Sequence, residues 1–155
     1  MKEKIFHFLA SLLTGILFFT ISCTPGSCFE ETNTYVKAYF YSSSSGKTSA
    51  PDSITLYGLN KNSDKIYNKT VKKQPASFPL DASVPSCTFV LRINGIADTI
   101  AFIYTSYPHL ISKECGYTFY HSIDTPVYSR HQIKKITLRK NTITTLNEEN
   151  MRIFY

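Results

Sequence analysis

The chain has 155 residues, with 17 Lys and Arg against 11 Asp and Glu, a formal charge of +6, and 43% hydrophobic residues. That is enough for one domain with a proper core. Eleven Tyr, eleven Phe and no Trp point to a β protein.

Lys2 and Lys4 precede an apolar run over residues 5–21, and Ser22 stands before Cys23. A positive start, an apolar segment of about 7–15 residues and small residues before a cut make a secretory signal. His7, Ser11, Thr14 and Gly15 interrupt the run, which is short for a helix that must span about 20 apolar residues. The pattern resembles the lipobox of bacterial lipoproteins, with Thr20 where leucine is most typical. The resemblance implies removal of residues 1–22, a diacylglycerol on the Cys23 thiol and acylation of the new amino group. Several chains at ~0.8 kcal/mol per buried methylene make a stable anchor. Thr24 is not the aspartate that holds some lipoproteins in the inner membrane, so an outer-membrane address is expected. The alternatives are an ordinary signal cut elsewhere, or an uncleaved anchor.

Residues 23–33 then read as a lipidated linker and residues 34–155 as the domain. Residues 35–41 alternate, with Val36, Ala38 and Phe40 on one face and Tyr35, Lys37, Tyr39 and Tyr41 on the other, as a half-buried strand does. A Ser-rich loop follows, and residues 53–59 alternate again with Ile54 and Leu56 inward. Residues 65–71 read as a weak edge strand. Residues 77–80 read as a short one that Pro79 confines to an edge. Cys87, Phe89, Leu91 and Ile93 share a face that Ile100, Phe102 and Tyr104 continue beyond Asn94-Gly95, the strongest short hairpin signal. A two-residue turn would set Asp98 opposite Leu91 on the apolar face, where an unpaired carboxylate is costly. The expectation is therefore a four-residue loop over 94–97, with Asp98 at the rim bonding loop amides.

Tyr107-Pro108-His109 is expected to break the pattern, and residues 115–123 to form another strand. Residues 132–139 read as a strand with Ile136 and Leu138 inward. Ile133 falls on the wrong parity, which predicts a bulge near Lys134-Lys135. Residues 142–146 and 151–155 are the last strands. Seven to nine short strands predict an all-β, antiparallel β-sandwich, immunoglobulin-like or transthyretin-like.

With Cys23 lipidated, Cys28, Cys87 and Cys115 remain for an exported chain, so one disulfide and one free thiol are expected. Spacing alone allows three pairings. Cys87 lies in a strand pattern beside Phe89 and Leu91, which suits a buried free cysteine and leaves Cys28 with Cys115. Lysines cluster over residues 61–73 and basic residues over 130–140, as solvated strand edges. Contact with acidic lipid or anionic glycan is the other reading of those runs. Nucleic acid is a poor partner for an exported chain without a recognition helix.

Cys28-Phe29-Glu30-Glu31, residues 51–58, Ile93-Asn94-Gly95 with Asp98-Thr99-Ile100, residues 112–117 and residues 150–155 together resemble a family of small lipoproteins from Bacteroides-type bacteria, catalogued only as a domain of unknown function. The resemblance implies a fold and an address but no activity, and it also favours Cys28 with Cys115.

No catalytic or metal-binding set and no cofactor motif is legible. Cys115 has only His121 near it in sequence, and His121 with Asp124 is expected to make ordinary surface hydrogen bonds. Glu148 and Glu149 are expected to point apart. The outward row Tyr35, Tyr39, Tyr41 and Tyr57 is the candidate binding face, since exposed tyrosines give contact area at low entropy cost. The expected function is a non-catalytic binding or accessory module, tethered to the membrane through acylated Cys23 and facing an envelope protein or glycan. The alternatives are a structural component of an outer-membrane assembly, and a hydrolase whose site is assembled from distant loops.

Overall fold

The computed structural model describes residues 28–155; residues 1–22 and the lipid-bearing Cys23 of the sequence reading lie outside them. Eleven strands follow one another without a helix among these residues: β1 Tyr35–Tyr41, β2 Ser53–Gly58, β3 Lys65–Val71, β4 Ala76–Pro79, β5 Ser86–Ile93, β6 Ile96–Ser112, β7 Gly116–Ile123, β8 Val127–Tyr128, β9 Lys135–Leu138, β10 Thr142–Ile143 and β11 Met151–Phe154. They form a sandwich-like pair of sheets. One has four strands in the order β4-β1-β11-β9; the other has seven, in the order β10-β7-β6-β5-β2-β3 with β8 also on β6. Every pairing is antiparallel except β1 with β11, which is parallel, Ala38 facing Met151 and Tyr41 facing Phe154.

The core lies between the sheets and is filled by alternate residues of each strand, as a period-two pattern requires. Val36, Ala38 and Phe40 of β1, Phe78 of β4 and Met151 and Ile153 of β11 are fully buried. They meet Leu56 of β2, Leu91 and Ile93 of β5, and Ile100 and Phe102 of β6. The two strands expected at edges, β3 and β4, do end their sheets.

The hairpin of β5 and β6 is tighter than expected. Its turn is Asn94-Gly95 alone, both at positive φ (50° and 91°), the backbone a two-residue type I′ turn demands. Leu91 therefore faces Asp98, and Phe89 faces Ile100. The predicted four-residue loop assumed that Asp98 would find no partner inside. It does find partners, in the backbone amides of the 129–133 loop.

Two further departures have local causes. Pro108 does not interrupt β6, which runs on through Ser112 with Pro108 facing Phe119. Tyr104 donates its amide to Pro85 O, on the side where β5 ends. Pro108 lies four residues on and presents its nitrogen to that same side, which is by then unpaired. A missing N–H costs nothing there. Ile133 is fully buried but enters the core from the loop before β9, so the expected bulge does not exist. The Asp98 carboxylate draws that loop inward by bonding the amides of Gln132 and Ile133.

Candidate functional site

On β1 the residues between the buried ones point outward, so Tyr35, Lys37, Tyr39 and Tyr41 share the outer face of the four-stranded sheet. Neighbouring β11 places Arg152 beside Tyr39 and Phe154 beside Tyr41. The Tyr41 hydroxyl donates to Glu149 Oε1 at 2.7 Å. Arg152 closes a fork on the same carboxylate at 3.0 and 2.9 Å. Its guanidinium lies 4.9 Å from the centre of the Tyr41 ring, and the Phe154 ring lies 5.3 Å from it. Burial raises the Glu149 carboxyl, but the Arg152 fork and the Tyr41 hydroxyl outweigh it and hold the group below the usual carboxylate range. Burial, with the bond to Glu149, pushes the Tyr41 phenol up. The result is a half-exposed aromatic platform with a fixed cation at its centre, the composition that favours protein and sugar contacts.

Tyr57 is not part of that platform. It lies on the outer face of the seven-stranded sheet, on a shallow hollow of about 290 Å³ with Lys65, Lys69 and Arg92. Parity showed which way Tyr57 faces, but not that β1 and β2 belong to different sheets. The lysines of the 61–73 run lie along β3 and its two ends, at a sheet edge.

Three cysteines lie among the described residues. Cys28 and Cys115 form a disulfide, and Cys87 is free and half-buried. Cys87 lines an open cleft of about 540 Å³ with Leu59, Ile66, Val84 and Phe89 on its walls and Lys61 and Asp81 at its rim. Burial pushes the Cys87 thiol up, which keeps it protonated and a poor nucleophile. Residues 28–34, read as a linker up to residue 33, are fastened along β7. Beyond the disulfide, Thr118 donates to Thr32 O at 2.6 Å and Thr34 donates to Phe119 O at 2.9 Å.

The expected surface role of His121 is overturned. It is 1% exposed, with Nδ1 2.9 Å from Ser106 Oγ and Nε2 3.2 Å from Thr34 Oγ1. Thr34 spends its one proton on Phe119 O, so it accepts from Nε2–H, and Nδ1 accepts from Ser106. His121 has the parity of buried Ile123 two residues on, a signal that could have shown it facing inward. Burial lowers its pKa. The folded chain therefore favours neutral His121, and its contribution is complete above the ordinary histidine range. It is lost as the pH falls through the lowered value. Urea midpoints should fall as the pH drops below about 6.5, and His121→Gln should flatten that slope.

Glu148 and Glu149 point to different partners, Lys140 and Arg152. Among the described residues no three His, Cys, Asp or Glu side chains gather as a metal-ligand set. A model of the family of unknown function DUF6452 matches residues 53–155, which leaves β1 outside the match. No curated protein and no solved structure matches the chain.

Proposed function

We propose that this chain, which belongs to the DUF6452 family of unknown function, is an exported lipoprotein held to the cell envelope by an acylated Cys23. Its β-sandwich acts as a non-catalytic binding or accessory module. The observation that carries the reading is the Cys28–Cys115 disulfide. Such bonds persist in oxidising compartments outside the cytosol, and this one begins five residues after Cys23. Thr24 after the modified cysteine favours the outer membrane. Tyr35, Tyr39 and Tyr41, with Arg152, form the contact face for an envelope protein or glycan. Arg152, Glu149 and Tyr41 are already committed to one another, which suits recognition better than proton transfer. The small lipoproteins of Bacteroides-type bacteria that the sequence resembles fit the same address.

The test is co-purification of native protein and a Cys23→Ala version from gently solubilised envelopes. The native chain should fractionate with membranes and the variant should not. Tyr39→Ala should leave folding unchanged and weaken capture of any partner by about tenfold, as truncation of an aromatic anchor does. Native protein found free of membranes would sink the anchor, and undiminished capture by Tyr39→Ala would sink the face.

A further inference from the structure

We infer that the free end of the β6–β7 hairpin docks on the lipid surface in which Cys23 is anchored; the inference rests on the lipoprotein reading above. The partner β5 pairs with β6 only as far as Ile103 and β10 pairs with β7 only as far as His121, opposite Ser106; beyond these β6 and β7 continue as an arm. Six residues from Tyr107 to Ser112, at ~3.3 Å each, make it about 20 Å long.

Residues paired across an antiparallel ladder share a face. Tyr104 pairs with Ile123 and Ser106 with His121, and the same face continues outward through Pro108 with Phe119 and Leu110 with Tyr117. At its root that face is core, with Tyr104, His121 and Ile123 buried. Beyond His121 it is uncovered: Phe119 and Leu110 are each 47% exposed and Tyr117 is 72% exposed. The opposite face carries Tyr107, and His109 stacked on Tyr120 with ring centres 4.0 Å apart. At the tip the disulfide joins Cys115 to Cys28, and Phe29 beside it is 93% exposed.

The length of chain before the disulfide selects the occupant. Cys23 lies five residues before Cys28, and five extended residues reach at most ~18 Å. An acylated Cys23 therefore keeps the aromatic tip within that distance of the bilayer surface, while the two sheets lie at the far end of the arm. Tyrosines, with an apolar ring and a polar hydroxyl, settle at the headgroup level. Charge does not drive the docking. Around the tip Glu30, Glu31 and Glu114 outnumber Lys113, so contact comes from apolar and aromatic burial and is insensitive to salt.

The chain has no Trp, so one substitution installs a unique reporter. Full-length lipidated Tyr117→Trp, Phe29→Trp and, as a control on the outer face of the seven-stranded sheet, Tyr57→Trp would be reconstituted into phosphatidylethanolamine–phosphatidylglycerol vesicles with brominated acyl chains. Both tip reporters should emit at shorter wavelength than in the Cys23→Ala background and lose most of their intensity to the brominated lipid, at low and high salt alike. The control should lose none. Both tip sites are strongly exposed, so folding is not at stake in either variant. Tip reporters as unquenched as the control, with Cys23 shown by mass spectrometry to be acylated, would overturn the docking and leave the anchor standing. Shielding of the tip reporters by an envelope protein and not by lipid would also overturn it, in favour of a protein partner. Quenching abolished by salt would overturn the apolar mechanism. An unmodified Cys23 would remove both the docking and its premise.

Discussion

Asp98→Ala is expected to destabilise the fold by about 3–5 kcal/mol, the range for removing one partner of a buried charged network. The carboxylate is 2% exposed. Its Oδ1 accepts from the Ser129 hydroxyl at 2.6 Å and the His131 amide at 2.7 Å, and its Oδ2 from the Gln132 and Ile133 amides at 2.8 and 2.9 Å. Without it those amides lose their acceptor, and Ile133, fully buried, loses the bond that turns it inward. Asp98→Asn should recover little, because its NH₂ would face donors. Burial raises the Asp98 carboxyl, but the Ser129 hydroxyl and the amides of His131, Ile133 and Gln132 outweigh it and hold it below its ordinary value. Its contribution is therefore complete above the ordinary aspartate pKa, near 3.9, and is lost as the pH falls through the lowered one. Urea titrations of wild type and variant should converge in acid. Equal midpoints at neutral pH would show that the loop holds itself.

The second large effect should come from Phe78→Ala, at about 3–5 kcal/mol. Phe78 is fully buried on the short strand β4. Its ring stands edge-on to Phe89 at 5.4 Å and Phe102 at 5.5 Å, both in the opposite sheet. Such pairs add ~0.5–1.5 kcal/mol to burial alone. Because β4 touches the four-stranded sheet only through β1, losing this ring should loosen that edge first. Hydrogen exchange should show β4 amides opening before those of β5. Unchanged exchange in β4 would place its support elsewhere.

What local pattern could show was how each residue faces. Alternation in residues 35–41 assigned Val36, Ala38 and Phe40 to the core, and all three are fully buried. The lysines and Pro79 marked the edge strands, and Asn94-Gly95 marked the hairpin. Which strands would pair beyond that hairpin was not legible, because such pairing is decided by contacts far apart in sequence. Tyr57 consequently joined a row that belongs to another sheet. The partners of Asp98 are backbone amides 33–35 residues away, and an N–H leaves no mark in a sequence. Pro108 read as a break because its tolerance depends on where β5 stops. The two-residue turn was set aside on a sound premise, the cost of a bare carboxylate, applied to a group that is not bare. The tyrosine platform was visible as to Tyr35, Tyr39 and Tyr41. Arg152 and Glu149 could not be added to it before β11 was known to lie beside β1.

That parallel placement of β11 has a consequence for the order of assembly. β11 lies between β1 and β9, so the four-stranded sheet has no centre until Met151–Phe154 has been made. β2 with β3, β5 with β6 and β6 with β7 can pair as hairpins, and β5 can join β2, while the chain is still emerging. β1 can pair with β4 but has to wait for its other neighbour, although it is made first. β11 acts as a keystone: one late insertion closes the layer of side chains between the sheets. A chain halted before Met151 should persist as a seven-stranded sheet with an exposed apolar side and a half-built partner sheet, the form a quality-control protease would meet.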